Sequence, residues 1–220
     1  MRHPLSQCPP PAQQAAKEQK IIATTAPAVQ EEELTAQTYF ERGFSAVDLD
    51  EKIRFYTESI RLQPAAVAYY NRGIARGDKG DIEGALADYD EAIRRKPDDA
   101  EAYYNRGNAR KAKGDIEGAL ADYDEAIRLK PDYATAYYNR GNARKAKGDI
   151  EGALADYDEA IRLKPNYIDA YYNKALLRKN QLEHCAAIAD FQKYLDLGGG
   201  DRDGDQAKVE EFIRDLKAKL

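Results

Sequence analysis

Apolar and polar residues alternate along most of this chain in two interlocking helical patterns, and the third copy of the pattern shows both. From about Ala102 to Lys113 the spacing predicts a first helix. Tyr103, Gly107 and Arg110 share one side of it, and Tyr104, Asn108 and Lys111 share another. Gly114 follows a basic last turn, as a C-terminal stop does. Asp115 is placed to cap the next helix, with Glu117 in its first turn. In that second helix Leu120, Tyr123, Ile127 and two alanines recur at spacings of three and four, a stripe that predicts burial. Pro131 ends the pattern after Lys130.

This two-helix unit repeats. The segment AYYNRG stands at Ala68–Gly73, Ala102–Gly107 and Ala136–Gly141, and a worn AYYNKA at Ala170–Ala175, each 34 residues from the last. Residues 102–131 and 136–165 are identical, and residues 68–97 differ from them only at Ile74, Gly77, Asp78 and Arg95. Residues 170–199 keep the skeleton. Upstream, YFERG at Tyr39–Gly43 and YTESIRLQP at Tyr56–Pro64 form a first copy whose middle is shorter by about one helical turn. The expected organisation is therefore a disordered tail at 1–32, rich in Pro, Gln, Ala and Thr, with at most a transient helix around Gln13–Lys20. Five units follow at about 33–65, 66–99, 100–133, 134–167 and 168–201. Gly198–Asp205 reads as a loop, and 202–220 holds a closing helix with Val209, Phe212, Ile213 and Leu216 on one face.

The unit resembles the tetratricopeptide repeat, a helix-turn-helix of 34 residues. Tyr103, Gly107, Ala119, Tyr123, Ala126 and Pro131 match the family's pattern in the third copy, while Arg106 stands where leucine is usual and Arg110 where tyrosine is usual. The resemblance covers roughly residues 33–200. It implies an all-α, right-handed superhelical solenoid of stacked antiparallel helix pairs, with a C-terminal capping helix. It also implies that the first helices line a concave groove. Stacked units would then carry ladders there: Tyr70, Tyr104, Tyr138 and Tyr172; Asn71, Asn105, Asn139 and Asn173; Asn108 and Asn142; and Lys111, Lys145 and Lys179.

Those residue types suit capture of an extended peptide. An asparagine amide both donates and accepts, so it can pair with a peptide bond whatever the side chain. Tyrosine offers apolar area with a polar tip. Some members of the family hold peptide backbones on asparagine ladders. Others clamp a C-terminal carboxylate with lysine, arginine and asparagine, a pattern that fits less well here because Tyr104 stands where the clamp uses lysine. Arg106 and Arg140 read instead as structural, with Asp122 and Asp156 on the second helices as their expected partners.

Composition narrows the function. Charged residues make up 33% of the chain and apolar ones 43%, which suits an elongated fold with much surface. The net charge of −5 argues against nucleic acid, although tyrosine, asparagine and lysine could in principle read single-stranded RNA base by base. Within each unit the first helix carries the basic residues and the second the acidic ones, so the groove is expected to favour an acidic segment or a free carboxylate of a partner protein. Catalysis is not expected. His184 with Glu183 and Cys185 lacks a second cluster, and GGGDRDGD at Gly198–Asp205 fails as a calcium loop because Gln206 and Phe212 stand where glycine and glutamate would be needed. No cofactor is implied, and a monomer is expected over self-assembly of repeats. No apolar run reaches membrane-spanning length and MRHPLSQCPPP lacks the core of a signal peptide, so the chain as it stands reads as cytoplasmic, or as exported if translation starts upstream.

Overall fold

The computed structural model describes residues 35–220; the tail expected at 1–32 lies outside them. The described residues form twelve helices: α1 Ala36–Ser45, α2 Leu49–Leu62, α3 Ala66–Lys79, α4 Ile82–Arg95, α5 Ala100–Lys113, α6 Ile116–Leu129, α7 Ala134–Lys147, α8 Ile150–Leu163, α9 Ile168–Asn180, α10 His184–Asp196, α11 Gly199–Asp203 and α12 Gln206–Lys217. Punctuation follows the sequence. Asp81, Asp115 and Asp149 each cap a second helix by accepting the amide of the residue three positions on, at 2.9 Å. Gly80, Gly114 and Gly148 end the first helices in the left-handed region, at φ of 88 to 89°. The segment expected as a loop at Gly198–Asp205 contains a short helical turn, α11, instead. Its glycines allow a contact that a side chain would block, since a Cβ on Gly199 would stand 2.2 Å from the Tyr194 ring.

Each odd-numbered helix from α1 to α9 packs against the even-numbered helix that follows it, and each pair packs on the next. Successive first helices α3, α5 and α7 also touch, more closely than successive second helices do, so the stack bends toward the first-helix wall. The core is a chain of small clusters, each spanning a joint between repeats. Ala119 and Tyr123 of α6 bury Ala143 of α7, and Ala126 and Ile127 bury Ala136. Tyr123 and Tyr157 are fully buried. Gly107 exists for this tyrosine: a Cβ there would lie 2.8 Å from the Tyr123 ring. At the far end Val209, Ile213 and Leu216 of α12 close over Phe191 and Tyr194, covering the face that a further repeat would otherwise occupy.

An ionic network runs through the same joints. The Asp122 carboxylate is 3% exposed and receives Nε and Nη2 of Arg106, the latter at 2.6 Å, and Nη1 of Arg110 at 2.9 Å. The remaining Arg106 nitrogen, Nη1, donates to Asp90 of the preceding repeat at 2.7 Å. Arg140, Arg144, Asp156 and Asp124 repeat this arrangement one unit on. The pairing expected for Arg106 and Arg140 is thus present, and Arg110 and Arg144 join it. The two positions that depart from the usual family residues, 106 and 110, supply both arginines.

The last repeat is a weaker copy. Lys174 replaces the fork-shaped arginine, reaching Asp190 at 3.3 Å, and Arg178 keeps one bond to it at 2.8 Å while its buried Nε has no hydrogen-bond partner among the described residues, Glu183 lying 3.7 Å away. Burial pushes the Asp190 carboxyl above the usual range, against the pull of Lys174 and Arg178. In addition Leu182 occupies the glycine position that ends the first helix and adopts φ 63°.

Because Asp122 is desolvated and triply bonded, Asp122→Ala should cost about 3–5 kcal/mol by leaving two arginines unpaired. Removing the partner of the exposed Arg128, Glu125→Ala, should cost less than about 1 kcal/mol. Guanidine unfolding followed by circular dichroism separates the two. In the last repeat, Leu182→Gly should stabilise by about 1 kcal/mol, because a left-handed non-glycine residue costs ~1–2 kcal/mol. Lys174→Arg should also stabilise by restoring the fork, and should lower the pH at which Asp190 titrates by NMR. The sign follows from the raised folded value: ionised Asp190 opposes folding, so its cost is relieved as pH falls through that value toward the unfolded one.

Candidate functional site

The first-helix wall carries the Tyr, Asn and Lys positions, and the structure laces most of them together across the joints. The Asn105 amide nitrogen donates to the Tyr70 hydroxyl of the preceding repeat at 2.9 Å. Asn139 donates to Tyr104 at 2.8 Å and to the Asn108 carbonyl at 3.1 Å, and Asn173 donates to Tyr138 at 2.8 Å and to Asn142 at 3.3 Å. The same Asn108 and Asn142 carbonyls accept the hydroxyls of the buried Tyr123 and Tyr157, each at 2.8 Å. A tyrosine of one repeat, an asparagine of the next and the core tyrosine between them therefore form one hydrogen-bonded rung.

Packing holds the rungs in place. Tyr104 lies 4.9 Å from Tyr133 and 6.1 Å from Tyr123, ring centre to ring centre, and Tyr138 lies 4.8 Å from Tyr167. Tyr172 meets Tyr194 at 5.0 Å under the closing helix. Burial, with Glu101 and Asp99 nearby, pushes the Tyr70 phenol up to about 12, so it remains a neutral hydroxyl at physiological pH.

The rung is missing at the first joint. The residue of α1 that corresponds to Tyr70 is Phe40, which has no hydroxyl, and Asn71 turns back to the Val67 carbonyl of its own helix at 2.9 Å. No sequence signal short of the stacking register would reveal this. Asn105 and its partner are 35 residues apart, and their bond depends on which neighbour each helix face meets.

The lysines divide. Lys179 places its ammonium 3.6 Å from the centre of the Phe212 ring, so the closing helix engages it. Lys145 reaches the Asn173 carbonyl at 3.4 Å. Lys111 makes no ion pair among the described residues. It is half-buried, and burial holds its ammonium below the usual lysine range. The other cations of these helices are engaged: Lys113 with Glu83, Lys147 with Glu117, and the arginines with the buried aspartates.

Such an arrangement leaves a defined chemistry on the wall. The Asn105 and Asn139 carbonyl oxygens accept no bond from the described residues, and the Tyr104 hydroxyl, already an acceptor, keeps a proton to donate. The Asn139 rung thus offers an acceptor and a donor on the face that carries Lys111, whereas the Asn173 carbonyl is already taken by Lys145. At the C-terminal end Asp203 and Asp205 both accept the Tyr194 hydroxyl, at 3.0 and 2.7 Å, and Arg202 pairs with Asp169 and Asp203, so the aspartates of this segment brace the cap.

Tyr104→Phe deletes one of the two acceptors of Asn139 and should cost about 0.5–1.5 kcal/mol. The reciprocal change Phe40→Tyr supplies the absent hydroxyl and should draw Asn71 off Val67, seen as a shift of its side-chain amide resonances and a gain in stability of the same order.

Comparison with known proteins agrees with the repeat architecture. The family model described as "TPR repeat" matches residues 75–114, 107–148 and 141–181. No curated protein matches significantly. Among solved structures, the crystal structure of MamA is 26% identical, with 71% of this chain and 92% of that one covered and a TM-score of 0.67. The structure of YrrB, described as a TPR protein with an unusual peptide-binding site, is 20% identical over 94% of this chain and 97% of that one, at a TM-score of 0.67. The first TPR domain of Spaghetti (RPAP3), bound to the HSP90 peptide SRMEEVD, is 25% identical over 53% of this chain and 92% of that one, at a TM-score of 0.52. With their helix pairs, capping glycines and core tyrosines in register, residues 75–181 of this chain are tetratricopeptide repeats.

Proposed function

We propose that this chain is a non-catalytic scaffold that holds an extended, acidic segment of a partner protein, or its C-terminal carboxylate, against the wall formed by α3, α5, α7 and α9. Repeats of this family generally build scaffolds rather than catalysts, and the RPAP3 domain shows a relative of the same fold holding the acidic peptide SRMEEVD. The observation that carries the reading is the state of Lys111. It is half-buried beside the Asn and Tyr rungs without a carboxylate, on a wall whose other cations are mostly paired within the protein. An acidic ligand would supply the missing anion, and the rungs would pair with its backbone. Among the described residues no helix is long and apolar enough to cross a membrane.

Lys111 gives this reading an unusual signature. Its depressed folded value means that the charged form is disfavoured on folding, so stability should rise as pH climbs through that value toward the unfolded one. Lys111→Met should therefore raise the melting temperature of the free protein. The same variant should weaken capture of fluorescein-labelled SRMEEVD, measured by fluorescence anisotropy, by about tenfold, the equivalent of ~1.4 kcal/mol. Binding should also weaken with added salt. Tighter binding of a lysine-rich peptide than of SRMEEVD would defeat the proposal.

A further inference from the structure

The second repeat departs from the identical copies at four positions, and three of them, Ile74, Gly77 and Asp78, line one cavity on α3. The copies place Asn108 and Asn142 where the second repeat has Ile74, Lys111 and Lys145 where it has Gly77, and Ala112 and Ala146 where it has Asp78. In those copies the core tyrosine is satisfied, since Tyr123 and Tyr157 donate to Asn108 and Asn142. Ile74 can accept nothing, and the hydroxyl of the equivalent Tyr89 has no partner among the described residues. It faces a cavity of about 270 Å³ at the joint between α3, α4 and α5.

Gly77 is the telling residue. Gly73 is demanded by packing, because a Cβ there would lie 2.8 Å from the Tyr89 ring. Gly77 is not: a Cβ there would meet Ala85 at 3.9 Å and the Tyr89 hydroxyl at 4.0 Å, ordinary contacts. It lies in the last turn of α3 in a helical conformation that any residue adopts. Neither packing nor backbone conformation accounts for it. What its missing side chain does is keep the cavity open, in the place that a lysine stem takes in the copies.

The cavity is smaller than the ~300–1,000 Å³ of sites that enclose drug-sized ligands, which fits a single side chain. Its walls are apolar, from Ile74, Ile82, Ala109 and Ala112. Its polar groups are the Asp78 carboxylate, exposed and without a cation partner among the described residues, the Tyr89 hydroxyl, and the side-chain amides of Asn105 and Asn108, which already bond Tyr70 and Tyr123 respectively. Apolar walls with an anion at the edge match a long side chain with a methylene stem and a cationic head. We propose that the cavity beside Gly77 receives a lysine or arginine side chain of the bound segment, its stem against Ile74 and Ala109 and its head between Asp78 and Tyr89. The proposal rests on the groove reading above and adds an order to the ligand: one basic residue at the joint of α3 and α5, and acidic residues toward Lys111 and Lys145.

The triple variant Ile74→Asn, Gly77→Lys, Asp78→Ala gives the second repeat the residues of the copies at all three positions, so it closes the cavity with a sequence that already folds in this context. The first measurement is an NMR titration of the full chain with N-acetyl-lysine methylamide and, as control, N-acetyl-norleucine methylamide. The expected result is saturable shifts of the Ala109 and Ala112 amides with the lysine compound alone, lost in the variant. The second is anisotropy with a labelled acidic nonapeptide of glycine and glutamate, in which lysine or norleucine is moved through each position. One lysine register should bind wild type about tenfold more tightly than its norleucine counterpart and show no advantage in the variant. Equal shifts from norleucine, no shifts from either compound, or a lysine advantage that survives in the variant would each overturn the cation pocket. Peptides that bind without any lysine advantage sink the pocket and spare the groove. A blocked lysine that fills the cavity while no peptide binds sustains the pocket and removes the groove.

Discussion

A carboxylate taken out of water must be fully compensated or it destabilises its surroundings. Asp122 and Asp156 meet that condition through two arginines each, both from the paired first helix. One of those arginines also reaches the second helix of the preceding repeat. The acid thus fixes the angle between the helices of a pair, and the arginine it orients fixes the pair against its neighbour. Alanines and a buried tyrosine fill the joint but would tolerate sliding, whereas a two-pronged ionic contact tolerates little. The hydroxyl-to-amide rungs on the first-helix wall depend on that register, since they join groups 35 residues apart that only correct stacking brings to hydrogen-bond distance.

The ends of the stack show what happens as the network thins. In the first repeat Phe55 occupies the position of the buried acid, Arg42 is exposed, and Thr57 takes the place of the outer aspartate, accepting a bond from Arg72. There the rung is lost as well, with Phe40 in place of tyrosine and Asn71 folded back on its own helix. In the last repeat lysine for arginine leaves Asp190 poorly compensated, and a leucine holds a backbone conformation suited to glycine. The closing helix offsets this by burying Val209, Ile213 and Leu216 and by covering Lys179 with Phe212. The repeats with complete networks, the third and fourth, are the ones whose sequences are identical.

Much of this was legible in the sequence, because the architecture is local and repeated. Helix limits follow from capping aspartates and terminal glycines, and the pairing of Arg106 with Asp122 follows from one charge on each helix facing the same seam. Tyrosines and asparagines read as groove residues do stand on the first-helix wall, but their mutual bonds could not be read, because they cross between repeats. The turn at Gly199–Asp203 was hidden by its glycines, which disfavour helix intrinsically yet here admit Tyr194 and Leu195 at close range. Gly77 and Asp78 stood out as departures from the copies, but only the cavity they share with Tyr89 gives the departure a meaning.

Perfect duplication also has a kinetic side. Residues 102–131 and 136–165 carry the same core, the same acids and the same arginines. During folding α5 can therefore dock against α8 as well as against α6, forming every intra-pair contact while looping out the residues between. Such a mispaired chain would be penalised mainly by loop closure and by the unmatched ends of the stack, a small discrimination for a slow error to correct. The worn first and last repeats, which weaken individual joints, mark the two ends as different and so count the units for a chain that could otherwise lose its place.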